Sequence, residues 1–103
     1  KYADKFKDKL GYDPWLGTLN IKIKTKINLP SDFLVIESFE DDGKNYGSIK
    51  CYSCSINGYK IKAHLVVPEI NKHEENIIEI ISPEYLRKAL NIEDGDEICI
   101  EIK

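Results

Sequence analysis

Two neutral oxygen-bearing side chains, Thr18 and Asn20, stand two residues apart at the start of a predicted strand. Leu19, Ile21 and Ile23 alternate with polar residues there, which is the period of two expected of a half-buried strand. Side chains two apart on a strand point to the same face and are about 6.7 Å apart. A hydroxyl and an amide oxygen in this arrangement could share one ligand.

Mg²⁺ is the ligand that this pair of oxygens suggests. Neutral oxygens bind Mg²⁺ weakly by themselves, because the ion keeps several of its waters and needs negative ligands. Phosphate groups would have to supply that charge, so the pair suits a metal–nucleotide complex better than a permanent metal site. The simpler alternative is that Thr18 and Asn20 only end a loop.

A single carboxylate, Glu79, interrupts the otherwise aliphatic segment 77–81. A carboxylate among buried residues needs a partner or a ligand. Glu79 could accept a hydrogen bond or a proton from a substrate hydroxyl, as a general base does. The alternative is that Glu79 faces solvent on an edge strand.

The residues Ser82-Pro83-Glu84 have the types of a helix start, with an N-cap, a first-turn proline and an acidic first turn. They predict a helix over 83–91. Its N-terminus, with Tyr85 and Arg87 nearby, could hold a phosphate or contact a base. Arg87 is the single arginine of the chain, and its simpler interpretation is a solvated helix residue.

Length and composition indicate one soluble globular domain. The 103 residues can bury a single core without staples, and 42% hydrophobic content with 32% charge is typical of globular proteins. No apolar run approaches the roughly 18 residues that a membrane span needs. The net charge of -3 argues against a nucleic-acid binder, which would normally carry a basic face. We expect a monomer with neither membrane nor nucleic-acid partners.

Cysteine and histidine give no clear site. Three cysteines without a secretion signal indicate a reducing compartment, which we take to be the cytoplasm. Cys51 and Cys54 spell CxxC, but in a strand they would point to opposite faces about 10 Å apart, so we expect buried thiols rather than a disulfide or a chelate. His64 and His73 have no neighbours that complete a triad or a metal cluster, and we interpret both as incidental.

The remaining elements follow from periodicity and turn residues. An amphipathic helix is predicted from Tyr2 to Leu10, with Gly11 as its left-handed C-terminal cap. Trp15 in the next loop is interpreted as a plug over the core, the alternative being a stacking surface for a ligand. Asp42-Gly43 and Asn57-Gly58 predict hairpin turns. The polar stretch 69–76 is long for a hairpin connection and is a candidate lid over a ligand.

Six strands and two short helices predict a small β-barrel rather than a parallel α/β sheet. A barrel of this size is filled by its own side chains, so a ligand must bind at a rim or across loops. The strands are predicted over 18–24, 33–39, 46–56, 59–67, 77–81 and 98–102.

Several sequence pieces occur together in an order that resembles the archaeal CTP-dependent riboflavin kinases. No single piece is specific, but the set extends over nearly the whole chain. The pieces are Leu10-Gly11-Tyr12 with Pro14, Gly17-Thr18-Leu19-Asn20, Val66-Val67-Pro68, the segment from Ile77 to Pro83, Leu86-Arg87 and Asp94-Gly95-Asp96.

The resemblance implies a mainly β, cradle-loop barrel that transfers the γ-phosphoryl group of CTP to riboflavin, giving FMN and CDP. It implies Mg²⁺ as cofactor, held by Thr18 and Asn20. It also implies that Asn71 and Glu79 contact the flavin, with Glu79 as the catalytic carboxylate. The cytidine nucleotide would be met by four consecutive residues, Glu84, Tyr85, Leu86 and Arg87.

The sequence departs from the family pattern at two places. Relatives begin with a strand and a glycine-rich loop that cradles phosphates, and we expect both to be missing from residues 1–103. Asn71 stands where the family usually has threonine. Two other functions stay open: a barrel that binds a flavin or nucleotide without catalysis, and a DNA-binding regulator, against which the acidic balance weighs.

Overall fold

The fold is mainly β with two short helices. The computed structural model describes residues 2–15, 19–23, 28–69, 77–93, 96 and 98–102. The predicted lid over 69–76, apart from Glu69, and the Asp94-Gly95 turn lie outside these residues. The elements in chain order are α1 (Tyr2–Leu10), β1 (Leu19–Lys22), β2 (Leu34–Ile36), β3 (Phe39–Asp41), β4 (Lys44–Tyr46), β5 (Ile49–Ile56), β6 (Tyr59–Pro68), β7 (Ile77–Ile81), α2 (Leu86–Ala89) and β8 (Ile100–Ile102).

Helix α1 begins and ends where the sequence predicts. Phe6 and Leu10 are buried, while the lysines and aspartates between them are exposed. Gly11 has φ +82°, and its N–H donates to the carbonyl oxygen of Lys7 at 2.9 Å. This is the left-handed cap that glycine adopts without a steric cost, and the prediction is confirmed.

The main sheet is antiparallel, has six strands and curls into a half-barrel, which confirms the predicted barrel class. Its strand order is β1-β7-β6-β5-β2. β8 also pairs with β5, along residues 54–56, whereas β2 pairs with residues 49–51. β5 and β6 are the longest strands and form the centre of this sheet. β7 lies between β1 and β6, so it is an interior strand.

Both faces of the central strands are buried, which divides the hydrophobic core into two parts. On β6, Ala63 and Leu65 belong to the inner core, whereas Val66 belongs to the outer core. The inner core is completed by β1, β5, β7 and the two leucines of the α2 region, Leu86 and Leu90. The outer core is completed by α1, Tyr12, β2 and parts of β5 and β7. Helix α1 therefore covers one face of the sheet and α2 packs on the other.

Two predicted strands are each interrupted in the structure. The strand predicted over 33–39 separates into β2 and the start of β3, and the one over 46–56 separates into β4 and β5. β3 and β4 pair only with each other and form a second, two-stranded sheet. Aromatic packing holds this hairpin, because the Phe39 and Tyr46 rings stack at 4.9 Å and Tyr2 of α1 packs edge-on against both.

The cysteines behave as the strand geometry predicts. Cys51 lies in the outer core and Cys54 in the inner core, on opposite faces of β5, and neither is in a disulfide. Burial raises the pKa of the Cys51 thiol to about 11, so it stays protonated and is a poor nucleophile. Cys99 is exposed. Within the described ranges, no helix is long and apolar enough to cross a membrane.

Both predicted hairpin turns are confirmed by their backbone angles. Asp42 and Gly43 have φ +53° and +77°, and Asn57 and Gly58 have φ +52° and +73°. Positive φ at both central residues defines a type I′ turn, whose twist matches that of antiparallel strands. Asn57 also bonds Cys99, accepting its N–H on the side-chain oxygen and donating its own N–H to the Cys99 carbonyl, both at 2.7 Å. The β5–β6 turn thus holds the approach to β8.

Replacing Gly58 by alanine should lower the free energy of unfolding by about 1 kcal/mol, because a left-handed conformation is costly for a residue with a Cβ atom. A Cβ atom at Gly58 meets nothing within 4 Å, so no steric clash adds to the backbone cost. Urea unfolding followed by circular dichroism measures the change. Ser53→Ala, at an exposed position of β5, serves as the control. Equal stabilities for Gly58→Ala and the control would contradict the assigned turn.

Candidate functional site

Asn20 and Glu79 face each other across β1 and β7. They are direct partners in the antiparallel register, and Glu79 in turn pairs with Val66 of β6. Opposed residues of neighbouring strands have Cβ atoms about 4.5–5.5 Å apart. The structure therefore brings together the predicted metal-binding amide and the predicted catalytic carboxylate, which stand far apart in sequence.

The two sides of β1 and β7 differ in character. Leu19, Ile21 and Ile80 point into or against the inner core, so Asn20 and Glu79 lie on the opposite face. Asn20 is exposed and Glu79 is half-buried. The alternative that Glu79 sits on an edge strand is wrong, because β7 is paired on both sides. Both side chains make contacts within the protein.

The oxygens in this place can help to hold a metal ion but do not form a closed metal site. Across the described part of the chain, no group of three or more His, Cys, Asp or Glu side chains is arranged to bind a metal. One amide oxygen opposite one carboxylate leaves most positions of an octahedral ion to other ligands. This donor set fits Mg²⁺ that arrives with phosphates. Thr18 and Asn71 lie outside the described residues, and their roles stay predictions.

Helix α2 is shorter than predicted and begins three residues later. It extends over Leu86–Ala89, with Tyr85 as the N-cap residue and without a side-chain cap. The prediction of a helix over 83–91 capped by Ser82 is wrong, because the residues from Pro83 to Tyr85 are not helical and the helix begins at Leu86. A single helical turn has little dipole, so the helix end gives weak support to a phosphate site there.

The four predicted nucleotide-binding residues have different environments. Glu84 and Arg87 are exposed, and Tyr85 is 46% exposed. Leu86 is buried in the inner core, so only its backbone can contact a nucleotide. Arg87 makes contacts within the protein. The polar surface available to a ligand therefore comes from Glu84, Tyr85 and Arg87.

Trp15 does not plug the core, and that interpretation is wrong. Its side chain is 51% exposed and stacks on Tyr85, with ring centroids 5.5 Å apart and planes 17° from parallel. The backbone N–H of Trp15 donates to the backbone carbonyl of Ser82 at 2.7 Å, which fixes the loop next to the segment that follows β7. The loop before β1 and the start of the predicted nucleotide segment are thus in contact.

Ser82 is a structural residue that connects three parts of the chain. Its side chain is 3% exposed; besides donating to Lys62, its hydroxyl accepts the Glu84 N–H at 3.2 Å. Its carbonyl accepts the Trp15 N–H. Ser82 therefore joins β6, the loop before β1 and the segment beginning at Glu84. A serine before proline looks like an N-cap in sequence, and only long-range contacts reveal this other use.

His64 is not incidental, because it forms a buried hydrogen bond with Tyr12. The Tyr12 hydroxyl and His64 Nδ1 are 2.8 Å apart, and the two residues are 8% and 7% exposed. Burial lowers the pKa of His64, and the nearby Lys62 ammonium lowers it further. Burial likewise raises the pKa of Tyr12. Both side chains are therefore neutral at neutral pH. No sequence pattern marked this pair, because the partners lie 52 residues apart.

The curled antiparallel sheet with its two short helices is that of a riboflavin-kinase-like barrel. The chain matches the family model CTP-dep_RFKase, described as a domain of unknown function, DUF120, over residues 1–102. It therefore belongs to the CTP-dependent riboflavin kinase family, which confirms the resemblance seen in the sequence.

Curated relatives are archaeal proteins named riboflavin kinase. The one from Sulfurisphaera tokodaii is 38% identical over 108 residues, covering 98% of this chain and 79% of the relative. The one from Thermoplasma volcanium is 38% identical over 109 residues, covering 99% and 48%. The one from Methanospirillum hungatei is 35% identical over 107 residues, covering 98% and 48%. The chain thus spans about half the length of most of these relatives.

Ser82→Ala should lower the free energy of unfolding by about 1–2 kcal/mol, because it removes a buried hydroxyl that both donates and accepts a hydrogen bond. Chemical unfolding of the variant beside wild-type protein measures the loss. Ser31→Ala, at an exposed loop position, is the matched control and should be nearly neutral. A Ser82 variant as stable as this control would show that the hydroxyl does not stabilise the contact between β6 and the segment beginning at Glu84.

Proposed function

We propose that this chain is the catalytic barrel of a riboflavin kinase that uses CTP as phosphoryl donor and produces FMN and CDP. The observation that carries the proposal is the opposition of Asn20 and Glu79 on β1 and β7, in a chain of this family. Together they combine a metal-binding oxygen and a proton acceptor on one side of the sheet. Relatives named riboflavin kinase support the choice of acceptor substrate.

The reaction requires little covalent chemistry from the protein. The terminal ribityl oxygen of riboflavin attacks the γ-phosphorus of CTP, and the bond from that phosphorus to the β–γ bridging oxygen breaks, releasing CDP. The hydroxyl proton must leave the attacking oxygen, and Glu79 is the group that accepts it. Catalysis then depends on positioning the two substrates and on neutralising the phosphate charge.

A divalent cation and its ligands would neutralise the charge on the phosphates. Asn20 would hold Mg²⁺ through its amide oxygen, and Thr18, two residues earlier in the sequence, would be a second ligand. Bound Mg²⁺ would neutralise phosphate charge and favour transfer. The protein offers few ligands of its own, so we propose that metal and nucleotide bind as one complex.

The cytidine nucleotide would be held by the segment Glu84–Arg87. The Glu84 carboxylate and the Arg87 guanidinium are exposed and provide an acceptor and a donor for polar groups of a nucleotide. Because Leu86 is buried, its part is limited to its backbone groups. Asn71 would contact the flavin together with Glu79.

A direct assay decides the function. Full-length protein is incubated with riboflavin, Mg²⁺ and either CTP or ATP, and FMN is separated from riboflavin by chromatography with fluorescence detection. We expect FMN with CTP and much less with ATP, and no FMN after EDTA treatment. FMN with ATP alone would contradict CTP as the donor. Flavin binding without FMN from either nucleotide would contradict the kinase and favour a binding protein.

Asn20→Ala should raise the Mg²⁺ concentration needed for half-maximal turnover by on the order of tenfold, the effect of losing about 1.4 kcal/mol of binding. The fold should be unaffected, because Asn20 is exposed at the end of the sheet. Asn45→Ala, on the exposed side of β4, is the matched control. An unchanged Mg²⁺ dependence in the Asn20 variant would remove this residue from the metal site.

Glu79→Gln should lower kcat by about 10²-fold or more, since the amide keeps the shape of the side chain but cannot accept the proton. Steady-state assays at saturating riboflavin and CTP measure kcat, and flavin titration measures affinity separately. Glu101→Gln removes an exposed carboxylate from β8 and should leave the rate unchanged. A wild-type rate for Glu79→Gln would exclude a catalytic role.

A further inference from the structure

We infer that Tyr12 and His64 form a positioning pair that sets the conformation of the loop residues 11–15 and, through Trp15, the aromatic stack with Tyr85 at the start of the proposed nucleotide-binding segment. The inference rests on the proposed function for its catalytic consequence. Its structural part stands on contacts between α1, the loop and β6, and can be tested without turnover.

Tyr12 is the buried anchor of this loop. Of the described loop residues 11–15, only Tyr12 is buried, and its ring belongs to the outer core. Its hydroxyl meets His64 Nδ1 at 2.8 Å on β6, and the two rings are 5.7 Å apart. The next residue, Asp13, has only an exposed ion pair with Lys7 at 3.6 Å, and such pairs contribute little. The Tyr12 contact is thus the main side-chain restraint at the start of the loop.

The last described residue of the loop, Trp15, is held by different contacts. The Trp15 N–H donates to the Ser82 carbonyl, and the Trp15 ring stacks on Tyr85. Ser82 is in turn bonded to the backbone of Lys62, two residues before His64 on β6. The same short stretch of β6 therefore restrains the loop at Tyr12 and supports Ser82. A change in the Tyr12–His64 contact would therefore alter the position of Trp15 and its stack on Tyr85.

The pair lies among few charges. The Lys62 ammonium is 5.7 Å from the centroid of the Tyr12 ring, on the side of β6 that His64 shares. On β5, Cys51 and Cys54 add to the effect of burial in raising the pKa of Tyr12, and the buried Cys51 thiol is itself protonated. Opposite His64 are Ser53 of β5 and Ile81 of β7, neither of which carries a charge. No carboxylate among these neighbours would stabilise an imidazolium, so the pair is built around neutral histidine.

Trp15 provides a reporter for the loop because it is the single tryptophan of the 103 residues. Its emission and fluorescence anisotropy depend on the stack with Tyr85, whether or not the protein turns over substrate. Tyr12→Phe keeps the buried ring and removes only the hydroxyl. His64→Gln keeps a side chain that can hydrogen-bond but cannot become positively charged.

The experiment compares wild type, Tyr12→Phe, His64→Gln and the control Tyr46→Phe, a tyrosine of β4 whose ring packs on Tyr2, at the end of α1 opposite to the loop. Circular dichroism first shows that each variant is folded at the assay temperature. We expect Tyr12→Phe to change Trp15 emission and to lose anisotropy, and the control to match wild type. Below pH 6.5, wild-type emission should change as His64 is protonated, and His64→Gln should lack that change.

In turnover assays, Tyr12→Phe should raise KM for the Mg–CTP complex by on the order of tenfold, equivalent to about 1.4 kcal/mol, with a smaller effect on kcat. Folded Tyr12→Phe protein with wild-type Trp15 emission and anisotropy would overturn the inference. Altered fluorescence with an unchanged KM would overturn its catalytic part. Absence of turnover in wild type would contradict the proposed function, and the fluorescence result would still decide whether the pair positions the loop.

Discussion

The burial of β6 on both faces is the constraint on which the rest of the structure depends. Ala63 and Leu65 fill the inner core while His64 and Val66 face the outer one, so a slip of one residue would exchange the two sets. This fixes the register of β7 against β6. The register of β7 in turn fixes Glu79 beside Val66 on one side and Asn20 on the other.

The same strand, β6, also holds two connecting segments in place. On the outer side of β6, His64 forms a hydrogen bond with the Tyr12 hydroxyl. The backbone carbonyl of Lys62, also on β6, accepts a hydrogen bond from the Ser82 hydroxyl. The loop that contains Tyr12 and the segment that follows β7 are thus both attached to β6. Functional side chains on loops need such support, because a displacement of about 1 Å can cost large factors in rate.

The candidate site is sparse in charge, and this has a physical meaning for the proposed reaction. Within the part of the chain that the structure describes, carboxylates do not gather into a metal cage. A site of this kind has little affinity for a bare cation and gains it only when phosphates arrive. Metal and nucleotide would then bind together, and the contacts of the protein would orient this complex rather than bind a metal ion without nucleotide.

Periodicity and turn residues determined much of the local structure. Helix α1, its Gly11 cap, both type I′ turns, β7 and the opposite faces of Cys51 and Cys54 follow from spacing and from conformations that only certain residues favour. The order of short motifs also identified the family. These features depend on neighbouring residues, or on patterns that relatives share, and need no knowledge of distant contacts.

Only the tertiary structure decided the features that depend on distant partners. The interruption of the strands around β3 and β4, the late start of α2, the exposed Trp15 and the interior position of β7 all result from packing between remote segments. The same holds for the opposition of Asn20 and Glu79 and for the bond between Tyr12 and His64. The sequence alone identified which residues could act, whereas strand pairing determined which of them meet, because register is set by burial across the whole sheet.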